Sequence, residues 1–229
     1  ETDELKNELV ATVSHDLKQP LSVMNGYLEL LQMSQHLDTR GESFAQMIGR
    51  SIDHMRHLID DVLDLAKIES GIVLQAEPVE IGKLIQECME NVQGLADNKA
   101  ITMHYEAASS LSKVAGDPNR LQQIFNNLIG NAVKYTQRGG EVRILIEALE
   151  HHLGFTIKDN GMGISPADQA HIFDRFYRVR RPETENIEGT GLGLAIVKKL
   201  IEAHKGQIGV ESILGEGTSF YVTLPTYRT

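Results

Sequence analysis

The sequence predicts an all-α helical hairpin followed by an α+β two-layer sandwich. Three observations carry that prediction. Apolar residues repeat in alternating steps of four and three over two long early stretches. The character of the chain changes after Gly71, and Pro78 marks a break. Beyond the break, strand-like and helix-like stretches mix around three glycine clusters. The predicted division is residues 1–72 and 73–229.

In the first stretch the apolar seam runs Val13, Leu17, Leu21, Met24, Leu28 and Leu31. Such steps place one stripe on a helix, as in a coiled coil or bundle. A polar break, SQHLDTRGES, follows, with Gly41 inside it. Ile48, Ile52, Met55, Ile59, Val62 and Leu65 then repeat the alternation. Two long helices joined by a short loop make an antiparallel hairpin. Two helices bury too little alone, so the periodicity predicts a homodimer whose chains complete a four-helix bundle.

In the second part, IGKLIQECMENVQGLAD (81–97) reads as a helix and ITMHYEA (101–107) as a strand. Asp117 as N-cap and Pro118 at the first helical position open a helix over 117–136. EVRILIEAL (141–149) and HLGFTIKD (152–159) read as strands joined by a hairpin. A helix over 192–205 and strands over 207–213 and 218–225 complete a mixed or antiparallel sheet with helices on one face.

Composition narrows the function. The 229 residues are 41% apolar and 24% charged, ordinary for a globular chain. A formal net charge of −10 argues against a nucleic-acid partner and against docking on anionic lipid. One cysteine, Cys88, excludes an internal disulfide and fits a reducing, cytoplasmic compartment. Glu1 falls where a helical pattern is already under way, so the chain reads as a fragment with an upstream region missing. Whether the intact protein is membrane-anchored stays open.

Residues 14–21 read SHDLKQPL. On the wheel set by the seam, His15 lies about 160° from Leu17 and faces solvent. Asp16 is its neighbour, and Gln19 lies four residues on along the same outer face. Pro20 cannot donate to the carbonyl of Asp16, so the helix is expected to bend there, at roughly 3 kcal/mol in a helix interior. An exposed imidazole beside a carboxylate can act as a nucleophile toward a phosphoryl group. The rest of the chain must then hold a phosphoryl donor.

The glycine clusters are DNGMGI (159–164), GTGLGL (189–194) and GEGTSF (215–220). None is a Walker A loop or a dinucleotide fingerprint. GTGLGL directly precedes a helix, where backbone N–H groups can approach anionic oxygens. On the preceding long helix, Asn127, Asn131, Lys134 and Tyr135 share a face. Amide oxygens suit Mg²⁺, and Lys134 suits a phosphate.

SHDLKQPL, NLIGNAVKY, DNGMGI, FDRFYR, GTGLGL and GEGTSF together resemble the H, N, G1, F, G2 and G3 boxes of bacterial sensor histidine kinases. The resemblance implies a sandwich of the GHKL ATPase type, ATP and Mg²⁺ as cofactors, and phosphoryl transfer to a response-regulator aspartate. It implies His15 as phosphoacceptor, Asp16 as general base and Gln19 as the orienter of water for phosphatase activity. It implies Asn131 as Mg²⁺ ligand with Asn127 in support, and Lys134 and Tyr135 as nucleotide contacts. Asp159 would accept from the adenine amino group, with Gly161, Gly163 and Ile164 around it. Phe173 and Phe176 would anchor a polar lid over 179–188, and Arg178 would stabilise the transferring charge. Gly189, Thr190, Gly191, Leu192, Gly193 and Leu194 would cradle phosphates, and Thr218 completes the set. Asp16, Lys18 and Gln19 depart from the commoner Glu, Arg and Thr of the H box, so phosphatase activity stays open. Two other functions also stay open: a GHKL-type ATPase and a non-catalytic dimerising scaffold. Asn127 stands where such ATPases place a glutamate base.

Overall fold

The computed structural model describes the backbone of residues 2–33, 37–71, 73–179, 181, 187 and 189–227. For residues 2–16 and residue 32 it describes the helical backbone alone. The side chains of His15 and Asp16, and most of the expected lid, therefore lie outside the described residues. The chain forms two compact units. One comprises the N-terminal hairpin with residues 189–192, and the other holds the remaining described residues from Val73.

In the hairpin, α1 spans Thr2–Met33 and α2 spans Thr39–Glu69. Helix α1 stays helical on both sides of Pro20. Asp38 caps α2, its carboxylate accepting from the Gly41 N–H at 2.7 Å. The expected polar break is therefore too long. Gly41 lies inside α2, because the Asp38 cap begins the helix three residues before it. The seam divides in two. Leu21 and Leu28 bury against Ala45, Ile52 and Ile59, forming the hairpin's own core. Leu17, Met24, Leu31, Ile48 and Met55 remain 43–49% exposed. Lys18 also pairs with Asp60 across the hairpin at 2.5 Å.

The second unit opens with β1 (Glu77–Val79), α3 (Ile81–Asn98), β2 (Thr102–Ala107), β3 (Val114–Gly116) and α4 (Pro118–Tyr135). Strands β4 (Glu141–Ala148) and β5 (His152–Asp159), the single turn α5 (Pro166–Gln169), α6 (Gly193–Ala203), β6 (Gln207–Ile213) and β7 (Gly217–Pro225) follow. The five-stranded sheet runs β2-β4-β5-β7-β6. Its β2–β4 pair is parallel and the other pairs are antiparallel. Pro78, where the sequence marks a break, lies within β1, and residues 77–79 pair antiparallel with 114–116 as a two-stranded ribbon.

Period-two patterning sets the core. Val142, Ile144 and Ile146 of β4 point inward, as do Leu153, Phe155 and Ile157 of β5 and Phe220, Val222 and Leu224 of β7. Buried faces of α4 (Leu121, Ile124, Phe125, Leu128, Ile129) and α6 (Ile196, Val197, Leu200, Ile201) complete that core. Phe125 meets Phe155 with ring centroids 4.9 Å apart. Fully burying side chains of this size stabilises by about 1.5–3 kcal/mol each.

Candidate active site

Helix α4 begins as the sequence predicts. Asp117 accepts from the Asn119 and Arg120 N–H groups at 3.1 and 3.2 Å, and Pro118 follows where no N–H is needed. With its apolar face committed to the sheet, the opposite stripe carries the polar residues. Asn131 Nδ2 donates to Asn127 Oδ1 at 3.0 Å. That bond uses one lone pair of the Asn127 oxygen and orients the Asn131 amide, whose own Oδ1 is a hard oxygen of the kind that suits Mg²⁺. Lys134 and Tyr135 are half-buried one turn on, with Lys134 Nζ 5.9 Å from the Tyr135 ring centroid. Burial raises the Tyr135 pKa, and the nearby Arg178 charge opposes that shift.

Asp159 owes its burial to strand register. It continues the inward series Leu153, Phe155, Ile157, so the pleat drives a carboxylate onto the core face, where it is 5% exposed. Thr218, its partner across the β5–β7 ladder, continues the inward series of β7 and is also buried. The Gly161 N–H donates to Asp159 Oδ1 at 2.8 Å, and the Thr218 N–H also donates to the carboxylate. Burial outweighs both bonds and pushes the Asp159 pKa up to about 6.

The glycines keep this region open to the backbone. A Cβ on Gly161 would stand 2.4 Å from the Tyr135 carbonyl oxygen, and one on Gly193 would stand 2.3 Å from Asn127 Nδ2. Gly163 has φ +65°, and a Cβ there would strike the Ile213 carbonyl. The first cluster thus packs directly on the end of α4, and the first residue of α6 packs on Asn127. The Ile164 N–H donates to Ser212 Oγ at 2.8 Å, and that hydroxyl also contacts Thr218 Oγ1 at 2.9 Å. Residues 189–192 group instead with the hairpin. Within that unit Thr190 Oγ1 donates to Asp61 Oδ2 at 2.5 Å and accepts from the Leu192 N–H at 3.2 Å. Leu194 is half-buried in α6.

The two phenylalanines differ. Phe173 packs edge-on against Phe220 at 6.5 Å, beneath Lys198 Nζ. Phe176 is 61% exposed at φ +60°, a conformation that side chains of its kind rarely adopt. Arg178 Nη2 donates to the Ile187 carbonyl at 2.5 Å, joining the two flanks of the polar segment. In the hairpin, Gln19 is exposed.

Sequence reasoning missed the node at Asp168. Its carboxylate accepts from Ser165 Oγ at 2.6 Å, Tyr177 Oη at 2.8 Å and Arg181 Nη2 at 2.8 Å. These bonds, that from Ser165 foremost, hold its pKa below the ordinary carboxylate value. Ser165-Pro166-x-Asp168 is a capping-box spacing with proline at the first helical position, a signal that could have revealed it.

A two-helix hairpin followed by a sandwich with a buried carboxylate among close-packed glycines is the architecture of the histidine kinase class. The comparisons agree. Residues 5–71 match the His Kinase A (phospho-acceptor) domain, and residues 116–228 match the histidine kinase-, DNA gyrase B- and HSP90-like ATPase. Drug sensory protein A of Synechocystis sp. is 34% identical over 243 residues, covering 100% of this chain and 36% of that protein. Sensor protein kinase WalK of Staphylococcus haemolyticus is 35% identical over 224 residues, covering 96% of this chain and 36% of that protein. The crystal structure of full-length ShkA in complex with AMPPNP superposes with a TM-score of 0.82 at 33% identity, covering 97% of this chain and 46% of that one. The chain belongs to the histidine kinase family and carries both domains of its catalytic core. It spans about a third of the length of these curated relatives. Among the described residues, no helix is long and apolar enough to cross a membrane.

Proposed function

We propose that this chain transfers the γ-phosphoryl group of ATP to His15, from which it passes to an aspartate of a response regulator. Residues 1–72 serve as the dimerising, histidine-bearing domain and residues 73–229 as the nucleotide-binding domain. The observation that carries the reading is the buried Asp159 carboxylate, framed by glycine positions where a Cβ would strike backbone or the Asn127 amide. Such a carboxylate is an acceptor waiting for a donor, and the exocyclic amine of adenine is one.

Asn131, steadied by Asn127, would hold Mg²⁺, which when bound shields the charge of the phosphates. Lys134 and Tyr135 contact the nucleotide from α4, together with Gly161, Gly163, Ile164 and Thr218. Gly189, Thr190, Gly191, Leu192, Gly193 and Leu194 supply backbone around the phosphates. Arg178 stabilises charge on the transferring group. A ring nitrogen of His15 forms the bond to phosphorus as the bond to the β,γ-bridging oxygen breaks and ADP leaves. Asp16 takes the ring proton from the other nitrogen. Positioning and charge neutralisation supply most of the rate. Asn127 has no proton-accepting carboxylate, which favours transfer to histidine over hydrolysis by water. Gln19, being exposed, is free to orient a water for dephosphorylation of the regulator.

Incubation with γ-labelled ATP and Mg²⁺ tests this directly. Acid-labile label is expected on the wild type and none on His15→Ala. Full labelling of His15→Ala, or an unlabelled wild type, overturns the proposal.

A further inference from the structure

A helix leaves its last four carbonyls without intrahelical donors, and buried ones must find others. In α4 each of these carbonyls has a partner. The Ala132 carbonyl accepts from the Thr136 N–H at 3.1 Å and from Thr136 Oγ1 at 2.7 Å. The Tyr135 carbonyl accepts from the Met162 N–H of the DNGMGI turn at 3.3 Å. The carbonyls of Val133 and Lys134 accept from one group, the ammonium of Lys99, at 2.9 and 2.8 Å. The same Nζ donates to the Thr136 carbonyl, just past the helix end, at 2.6 Å.

Lys99 thus commits all three of its N–H donors to a single turn. Its own carbonyl accepts from the Gly139 N–H at 2.9 Å, holding the next turn as well. Arg138 adds a bond from Nη1 to the neighbouring Asn98 carbonyl at 3.0 Å. The ammonium also opposes the negative end of the α4 dipole. Burial lowers the Lys99 pKa, as expected for an amine drawn in from solvent.

We propose that Lys99 is a positioning residue for nucleotide binding: its ammonium sets the last turn of α4 and so holds Lys134 and Tyr135 against the DNGMGI turn. The proposal rests on the nucleotide-binding role given above. Lys134 lies between two carbonyls that Lys99 holds, and Tyr135 is tied to the glycine turn through Met162. With the ammonium removed, three carbonyls lose their shared donor and the turn can unwind toward water. The nucleotide contacts then lose their fixed spacing while the sheet and its core persist.

Calorimetric titration of the full chain with a non-hydrolysable ATP analogue and Mg²⁺ tests this, comparing wild type, Lys99→Met, Lys99→Arg and Leu153→Val. Leu153 is a core residue at the end of β5 away from Asp159, so its variant reports loss of stability without loss of the turn. Lys99→Met is expected to weaken binding about tenfold or more, the size of lost charge-assisted hydrogen bonds. In labelling assays the half-saturating ATP concentration should rise while the maximal rate stays within about twofold, because Lys99 does not touch the transferring group. Lys99→Arg keeps the charge but presents a planar fork to three converging carbonyls, so it should bind between the other two. Leu153→Val should melt earlier and bind as wild type does. Wild-type affinity in Lys99→Met overturns the proposal. So does wild-type affinity in Lys99→Arg should the Met variant not fold, or an equal affinity loss in Leu153→Val. A wild-type chain that binds no nucleotide overturns the nucleotide-binding role itself, and this proposal with it.

Discussion

Asp159 shows how one residue can be held out of balance by its strand. Register forces the carboxylate inward, and two backbone N–H groups compensate incompletely. Its pKa is raised from 3.8 to about 6. A raised carboxylate pKa means that the unfolded chain gives up its proton first. The stability tied to this group is therefore complete below 3.8 and is lost as pH rises through about 6. The full loss is about 3 kcal/mol by linkage. Asp159→Asn should remove this loss, so its melting temperature relative to wild type should climb between pH 4 and pH 7 in calorimetric scans. Nucleotide affinity should move the other way. A donor from adenine favours the ionised form, so wild-type affinity should rise with pH and level off above about 6. In Asp159→Asn that rise should vanish, with binding weakened about tenfold or more at pH 7.5. A pH-independent wild-type affinity would count against Asp159 as the adenine acceptor.

At the scale of elements, α4 was legible because its signals are local. Asp117-Pro118 marks its start, and its apolar residues recur at helical spacing through Val133. Strands β4 to β7 were legible for the same reason, each being long enough to show alternation. What escaped was too short or too distant. Strands β1 and β3 have three residues each, below one clear period, and α5 is a single turn. The Asn127–Asn131 pair could be read from a spacing of four, whereas the donor that closes α4 comes from Lys99, 34 residues or more away. The start of α4 carries a comparable long-range tie. Asp117 Oδ2 accepts from the Gln75 N–H at 3.2 Å, and the Asp117 N–H donates to His204 Nε2 at 3.1 Å. His204 Nδ1 donates to the Leu200 carbonyl at 2.7 Å, which fixes a neutral ring, and burial lowers its pKa below 6.5. A lowered histidine pKa gives stability that is complete above 6.5 and lost as pH falls through the folded value. Protonation would turn the acceptor of the Asp117 N–H into a donor. His204→Gln should therefore be less stable than wild type at pH 7.5, with a gap that narrows toward pH 5 in denaturant titrations. A constant gap would show that folding leaves the pKa of the ring unshifted. Asp117→Ala removes the α4 cap and should cost about 1–2 kcal/mol in the same titrations.

At the scale of the whole molecule, the two halves of the hairpin seam have different work. Leu21, Leu28, Ile52 and Ile59 close the hairpin on itself. Leu17, Met24, Leu31, Ile48 and Met55 stay on its surface, 43–49% exposed. Ten such side chains meet when two hairpins pair, five from each chain. At about 1 kcal/mol each for the part still exposed, their burial is worth about 10 kcal/mol, comparable with the 4–15 kcal/mol that association costs. Exposed Tyr27, Leu30, Phe44 and Met47 add apolar area near the connecting loop and tip the balance toward association. Sedimentation velocity should accordingly find a dimer. Replacing Met24 and Ile48 together with Glu should give a monomer, since each carboxylate would be buried without a partner. The sandwich has its own core, so the monomeric variant should bind a non-hydrolysable ATP analogue as tightly as wild type. A double variant that stays dimeric would place the interface on another face of the hairpin. A monomer that loses nucleotide affinity would show that the sandwich depends on the bundle, contrary to the separate cores seen here.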